Sequence, residues 1–225
     1  FSIPMIIGNV AQQLYSTVDS IVVGHYIGDN ALAAVGSAGP LMNMLIALFI
    51  GVSAGASIMV SQFFGARQRE DLSRTIGNCI TLCALISLLL MTCAPLIIRP
   101  ALRLLNTPES ILEDCALYLI VTMVGIAGMA YYNILSGILR GMGDSVWPLI
   151  FLLVATVINI ALDIYFVAVV GMGVAGVALA TAIAQFISGV LCYLKLRTMS
   201  DIFDMRVKYT KLRKDVAKRI LTLGL

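Results

Sequence analysis

Charge in this 225-residue chain is confined to short breaks between long apolar runs, and that pattern restricts the fold more than any other feature. From Ser145 to Leu194 the only charged residue is Asp163, and the stretch 30–66 has none. An apolar run of about 18 residues or more reaches across the ~30 Å hydrocarbon core of a bilayer at 1.5 Å per helical residue. Such runs must be helical, because lipid offers no partner for a backbone N–H or C=O. Composition agrees: 60% of residues are hydrophobic, 12% are charged, and the mean hydropathy is +0.99. A soluble domain carries about 25% charged residues and could not hide this much apolar surface. The expected fold class is an all-α membrane protein.

The runs resolve into six expected transmembrane helices, at about 1–26, 36–60, 75–98, 115–139, 146–169 and 174–194. The last two come from a single fifty-residue run that is too long for one crossing, and Gly171-Met172-Gly173 supplies its turn. Orientation follows from Lys and Arg in the connections. If span 1 leaves the cytoplasm, thirteen basic residues stay inside (Arg67, Arg69, Arg74, Arg140 and nine after span 6). Only Arg99 and Arg103 fall outside. Both ends of the segment are therefore expected in the cytoplasm, in a multi-pass protein of the plasma (inner) membrane. The net charge is −3 over residues 1–194 and +6 over 195–225. A basic block directly after an apolar span reports orientation and membrane contact, so nucleic acid is not expected as a partner.

Other classes are also disfavoured. The five cysteines (79, 83, 93, 115, 192) lie in or beside apolar runs and read as small helix-facing residues rather than a disulfide framework. Gly141-Met142-Gly143-Asp144 has no following Lys and no preceding strand, so it reads as a turn, not a phosphate loop. No nucleophile–base pair or metal motif of Cys and His appears, and an enzyme is not expected. Trp147 reads as an interfacial anchor. His25 reads as interfacial too, and Tyr131, Tyr132 and Asn133 as packing residues. The chain opens at Phe1 rather than Met, so it is expected to be part of a longer protein.

Two acids sit inside spans, Asp19 and Asp163, and each costs roughly 2.5–3.5 kcal/mol at a span centre on insertion scales. Asp19 lies seven residues before Tyr26, Asp163 seven before Val170, and Thr181 eight after Gly173. At 1.5 Å per residue all three lie roughly 10–12 Å below the same surface. Asn159 is one turn from Asp163 on the same face, and Tyr15 one turn from Asp19, with Gln12 and Ser16 adjoining. Two carboxylates, an amide oxygen and a hydroxyl suit a hard monovalent cation such as Na⁺. The same carboxylates could share a proton instead. Pro4 begins span 1. It is neutral as a first-turn proline, or a bend point if the helix starts ahead of Phe1.

These residues carry a resemblance. Pro4; Val18-Asp19-Ser20 leading to Val23-Gly24-His25-Tyr26-Ile27-Gly28; Ser61-Gln62-Phe63-Phe64-Gly65-Ala66; Arg140-Gly141-Met142-Gly143-Asp144; Asn159 to Asp163; and Gly173 to Thr181 occur in an order that resembles the N-terminal half of a multidrug and toxic compound extrusion (MATE) transporter. The resemblance implies one six-helix lobe of a twelve-helix, two-lobe parallel pseudo-repeat that exports organic cations or drugs by alternating access, in exchange for Na⁺ or H⁺. It implies Asp19, Asn159, Asp163 and Thr181 as the cation or proton site, with Tyr15, Tyr118 and Gln12 as a supporting network and Pro4 as a hinge. Residues 1–197 would form the lobe. Residues 198–225 would be a basic cytoplasmic linker approaching a seventh span, with Leu212, Val216 and Ile220 on one face of an amphipathic helix. The implied partners are small organic cations, the second six-span lobe and membrane lipid. No cofactor beyond the coupling ion is implied. The alternatives are a lipid-linked oligosaccharide flippase of the same superfamily, which calls for a more cationic cavity, and an ion channel, for which no filter motif is present.

Overall fold

The computed structural model describes residues 2–199, 201–204 and 207–224, with the side chains of 2–9, 11, 12, 14, 15, 45 and 207 outside the described set. Eight α-helices follow in order: α1 Ser2–Tyr26, α2 Asp29–Gly65, α3 Arg69–Leu104, α4 Glu109–Val124, α5 Ile126–Gly141, α6 Val146–Asp163, α7 Val174–Arg197 and α8 Lys214–Gly224. A π-helical turn, Ile164–Val169, extends α6, and a 3-10 turn, Val207–Thr210, precedes α8. The described residues contain no strand. The chain folds as a six-span helical bundle, α4 and α5 together making one bent span.

Length and apolarity qualify α2, α3, α6 with its π turn, and α7 as membrane-crossing helices; α4 plus α5 is the fifth. α1, 25 residues long with Asn9, Gln12, Gln13 and Asp19, is not among those that qualify by length and apolarity, and it packs along α6 as the sixth helix of the bundle. The spans agree with those read from hydropathy, but α2 and α3 run on at both ends. At 37 and 36 residues they reach about 55 Å, well past a ~30 Å hydrocarbon core. Their polar ends continue the helix into water.

The fourth span departs from the straight helix expected over 115–139. It breaks at Gly125 with a bend of 51°. α7 packs tightly against the break: a Cβ at Gly125 would run into the Ala182 side chain, and one at Gly128 would meet the Phe186 backbone nitrogen at 2.7 Å. Glycine lets the α4–α5 span and α7 approach this closely. Two other glycines make the turn between α6 and α7, where Gly171 (φ 74°) and Gly173 (φ 59°) adopt the left-handed conformation.

The main core gathers α2 to α5 around Phe49, Met59, Leu119, Met123 and Ile138. Leu96 and Val157 point outward at 79% and 68% exposure, as lipid-facing residues should. The segment after α7 is stitched to α3. Arg69 donates to the Asp201 carbonyl (2.7 Å) and to Asp204 Oδ1 (3.0 Å). Ser73 Oγ accepts from the Asp204 N–H at 2.8 Å, and Asn78 Oδ1 from the Arg213 N–H at 2.7 Å. Thr81 Oγ1 donates to the Thr210 carbonyl at 2.7 Å. Phe203 and Tyr209 are buried beneath this strap. The amphipathic helix read from Leu212, Val216 and Ile220 starts only at Lys214, leaving Leu212 exposed. Rather than lying flat, α8 runs antiparallel to α2, its Ile220 carbonyl on Gly55 and its Gly224 on Gly51.

Candidate cation site

Three helices bring the polar residues together. α1 supplies Asp19, α6 supplies Asn159 and Asp163, and α7 supplies Thr181. Asn159 and Asp163 are fully buried, and Asp19 and Thr181 are 8% exposed. A directional chain links them: Asn159 Nδ2 donates to Thr181 Oγ1, and Thr181 Oγ1 donates to Asp19 Oδ2, both at 3.4 Å. These bonds are long and correspondingly weak. The Asp19 and Asp163 carboxyls lie close enough to interact with each other. Two buried carboxyl groups in contact disfavour double ionisation and so invite one proton or one cation between them.

Local structure explains the placement. α6 stops being α-helical at Asp163 and widens into the π turn, where the Val170 N–H bonds the Tyr165 carbonyl at 3.0 Å. Single π turns of this kind recur at functional sites. α7 comes in close beside the turn, since a Cβ on Gly176 would sit 3.0 Å from Phe166 Cβ. On α1, Thr17 and Ser20 return their hydroxyls to the carbonyls of Gln13 and Ser16, which satisfies polar groups around Asp19 within the helix.

The site has a closed side and an open side. Val22 and Val23 of α1, Ala31 of α2, Val167 of the π turn, and Val174 and Val177 of α7 pack into one buried cluster. Each lies between the polar residues and the end of the bundle opposite α8, so together they plug the site there. On the other side Asp19 and Thr181 line a cavity of about 220 Å³, with Ser16, Ser20, Asn43, Tyr118, Thr122 and Gln185 among its polar walls. Tyr118, expected in the supporting network, lines this cavity. The side chains of Gln12, Tyr15 and Pro4 lie outside the described residues, although all three belong to α1 and Pro4 falls in its first turn.

Sequence reasoning missed Gln185, Thr122 and Asn43. Gln185 was the most accessible to it, being one turn after Thr181 on α7. The other readings fare as packing residues should. Tyr132 is buried and donates to the Pro148 carbonyl at 3.2 Å, and Asn133 donates to the Met129 carbonyl at 2.9 Å. The five cysteines are free thiols. Among the described residues no three His, Cys, Asp or Glu side chains cluster as a metal site. The candidate site's two carboxyls, hydroxyl and amide carry the oxygen atoms that suit a hard cation or a proton.

Comparison with known proteins decides the family. Residues 4–165 match the family described as MatE. The chain belongs to the MatE family. The chain spans about half the length of the MatE relatives it matches. The probable multidrug resistance protein YoeA of Bacillus subtilis is 33% identical over 231 residues, which cover 100% of this chain and 50% of that protein. A solved structure of a multidrug resistance MATE family transporter of the MOP superfamily, in an outward-facing conformation, superposes with a TM-score of 0.90 at 28% identity, over 99% of this chain and 49% of that one. A MOP superfamily transporter from Pyrococcus furiosus, whose binding pocket is described as of reverse polarity and suggesting a different function, matches equally well: TM-score 0.90, 28% identity, 99% and 49% coverage. The six-span bundle is thus one lobe of the MatE architecture.

Proposed function

We propose that this chain is the N-terminal lobe of a cation-coupled antiporter that exports small organic cations by alternating access. Residues 1–197 form the lobe. Residues 198–225 lead to a second six-span lobe, which supplies the other wall of the central cavity. The observation that carries the reading is the buried Asn159–Thr181–Asp19 chain with Asp163 beside it, opening on one side into a cavity. Buried acids in a bundle are costly. A site that alternately loads and empties one positive charge gives that cost a use.

The cycle then has two states. Na⁺ or H⁺ neutralises the carboxyl pair, α1 shifts about Pro4, and the cavity reshapes and releases the drug. In the unloaded state the negative pair attracts the next organic cation. No cofactor beyond the coupling ion enters this scheme. Thirteen basic residues on one side against two on the other support a plasma-membrane orientation with both ends of the segment cytoplasmic. A flippase for anionic headgroups fits less well, because the described cavity wall carries Asp19 and no Lys or Arg.

The test uses the full-length protein in liposomes. Efflux of a fluorescent organic cation is followed under a Na⁺ gradient and separately under a pH gradient. One gradient should drive transport in the parent, and Asp19→Asn and Asp163→Asn should abolish it while inserting normally. Parent-like efflux in both variants would refute the proposal.

A further inference from the structure

A second polar level lies below the carboxylates. Gln185 is 4% exposed, and its Oε1 is buried with no hydrogen-bond partner. A buried amide acceptor left unpaired is costly, so a group of this kind needs an explanation such as a bound ion or water. Gln185 lines the same cavity as Asp19 and Thr181, and so do Thr122 of α4 and Asn43 of α2. The Thr122 hydroxyl spends its proton on the Tyr118 carbonyl at 2.8 Å. Its oxygen lone pairs remain free to accept or to coordinate.

Depth groups these three. Asn43 lies fourteen residues into α2, Thr122 thirteen into α4 and Gln185 eleven into α7, each counted from the end opposite α8. At 1.5 Å per residue they sit roughly 17–21 Å down, whereas Asp19, Asp163 and Thr181 sit roughly 10–12 Å down. The lower level is therefore about one to two helical turns nearer the basic end, on the open side of the acid site. The valine plug closes the other side.

From this arrangement we infer that Asn43, Thr122 and Gln185 form a transit station for a partly hydrated, sodium-sized cation moving between the carboxyl pair and the basic end of the bundle. This rests on the antiport reading above. The chemistry selects the ion. Amide and hydroxyl oxygens do not take up a proton near neutrality, but they replace hydration oxygens around a hard cation. Without a carboxylate the station binds weakly, which transit requires: an ion must be able to enter and to leave. Gln185 supplies the acceptor that has no other partner, and the cavity leaves room for the ion's remaining water.

The experiment measures ²²Na⁺ in the full-length protein reconstituted in liposomes. Equilibrium binding and the rate of Na⁺/Na⁺ exchange are compared for the parent, Gln185→Leu, Thr122→Val and Asp19→Asn. Asp19→Asn should lose binding. Gln185→Leu should bind Na⁺ within twofold of the parent but exchange it about tenfold more slowly, the scale of one lost hydrogen-bond-strength contact at the barrier. Thr122→Val should slow exchange in the same direction, and Gln185→Asn, which keeps an amide oxygen, should recover part of the rate. Parent-like exchange in Gln185→Leu and Thr122→Val would overturn the station. So would a parent that neither binds nor exchanges ²²Na⁺, and if that parent still exports dye under a pH gradient the antiport reading survives alone. Loss of Na⁺ binding and of exchange together in Gln185→Leu would also overturn it, since Gln185 would then belong to the acid site itself.

Discussion

Thr181→Val is the sharpest probe of the acid site. Valine keeps the shape of threonine and removes only the hydroxyl that accepts from Asn159 and donates to Asp19. A hydrogen bond to a charged group is worth about 1.5–3 kcal/mol at good geometry. At 3.4 Å roughly half of that survives, or about 0.75–1.5 kcal/mol; because the bond stabilises the charged carboxylate of the empty site, its loss should tighten coupling-ion binding about three- to twelvefold. The substitution also removes one acceptor of Asn159 Nδ2 at a fully buried position, a cost of about 0.5–1.5 kcal/mol that falls on the loaded and empty states alike. It should therefore lower Tm without altering the affinity shift. The assay titrates Na⁺ and, separately, pH against transport by the full-length protein and reads the half-saturating concentration. Thr181→Ser retains the hydroxyl and should stay within twofold of the parent. A Thr181→Val midpoint within twofold of the parent or above it, or a Thr181→Ser shift as large as that of Thr181→Val, would refute the relay.

Gly128→Val drives a branched side chain into the Phe186 backbone, where a Cβ alone already meets the nitrogen at 2.7 Å. Overpacking of about 1–3 kcal/mol should lower Tm by several degrees in a thermal melt read with a thiol-reactive dye, and an unchanged melt would mean that α5 and α7 do not pack this closely. Asn78→Leu removes the acceptor for the Arg213 N–H. Tryptic cleavage at Lys208 and Lys211 should rise about tenfold as the strap opens more often, with cation binding unchanged; a parent cleavage rate would show that the strap is held elsewhere. Arg99→Ala breaks the exposed bridge to Glu113, 3.0 Å between Arg99 Nη2 and Glu113 Oε2. Tm at pH 7 should not move measurably, since exposed pairs contribute little. The Arg99 guanidinium holds the Glu113 carboxyl below its ordinary value. Whatever the bridge contributes is therefore present above the ordinary carboxylate pKa and lost as pH falls through the lowered one, and a larger effect in acid than at pH 7 would contradict this sign.

What could be read from the residues divides along a physical line. Properties carried by one helix at a time were legible. Charge-free runs marked the spans because a span is defined by its own length and apolarity. A constant rise per residue placed Asp19, Asp163 and Thr181 at one depth, and the structure brings them together with Asn159. Gly171 and Gly173 announced a turn because the left-handed backbone there excludes most other residues. Properties that depend on a neighbour were not legible. The need for glycine at Gly125 comes from Ala182 of another helix, which fills the space a Cβ there would take. The π turn after Asp163 depends on which carbonyl each N–H finds once α7 packs close by. The missing partner of Gln185 Oε1 is a fact about its surroundings, and an amide in an apolar run looks the same in sequence whether paired or not.

The same division explains α8. Its apolar period was visible, and Ile220 is fully buried as an inward-facing position should be. Its destination was not, because Gly51 and Gly55 read equally well as packing glycines for any helix. In the structure they receive the backbone of α8 at Gly224 and Ile220. This matters mechanically. A linker lying on the membrane surface would leave the two lobes of a MatE transporter free to move independently. A segment tied to α3 by Arg69, Ser73, Asn78 and Thr81, and then laid along α2, instead moves with this lobe as far as Gly224. Any sliding of α8 along α2 would have to pull Ile220 out of the core and break the Arg219 Nη2 bond to Gln62 Oε1 at 3.3 Å.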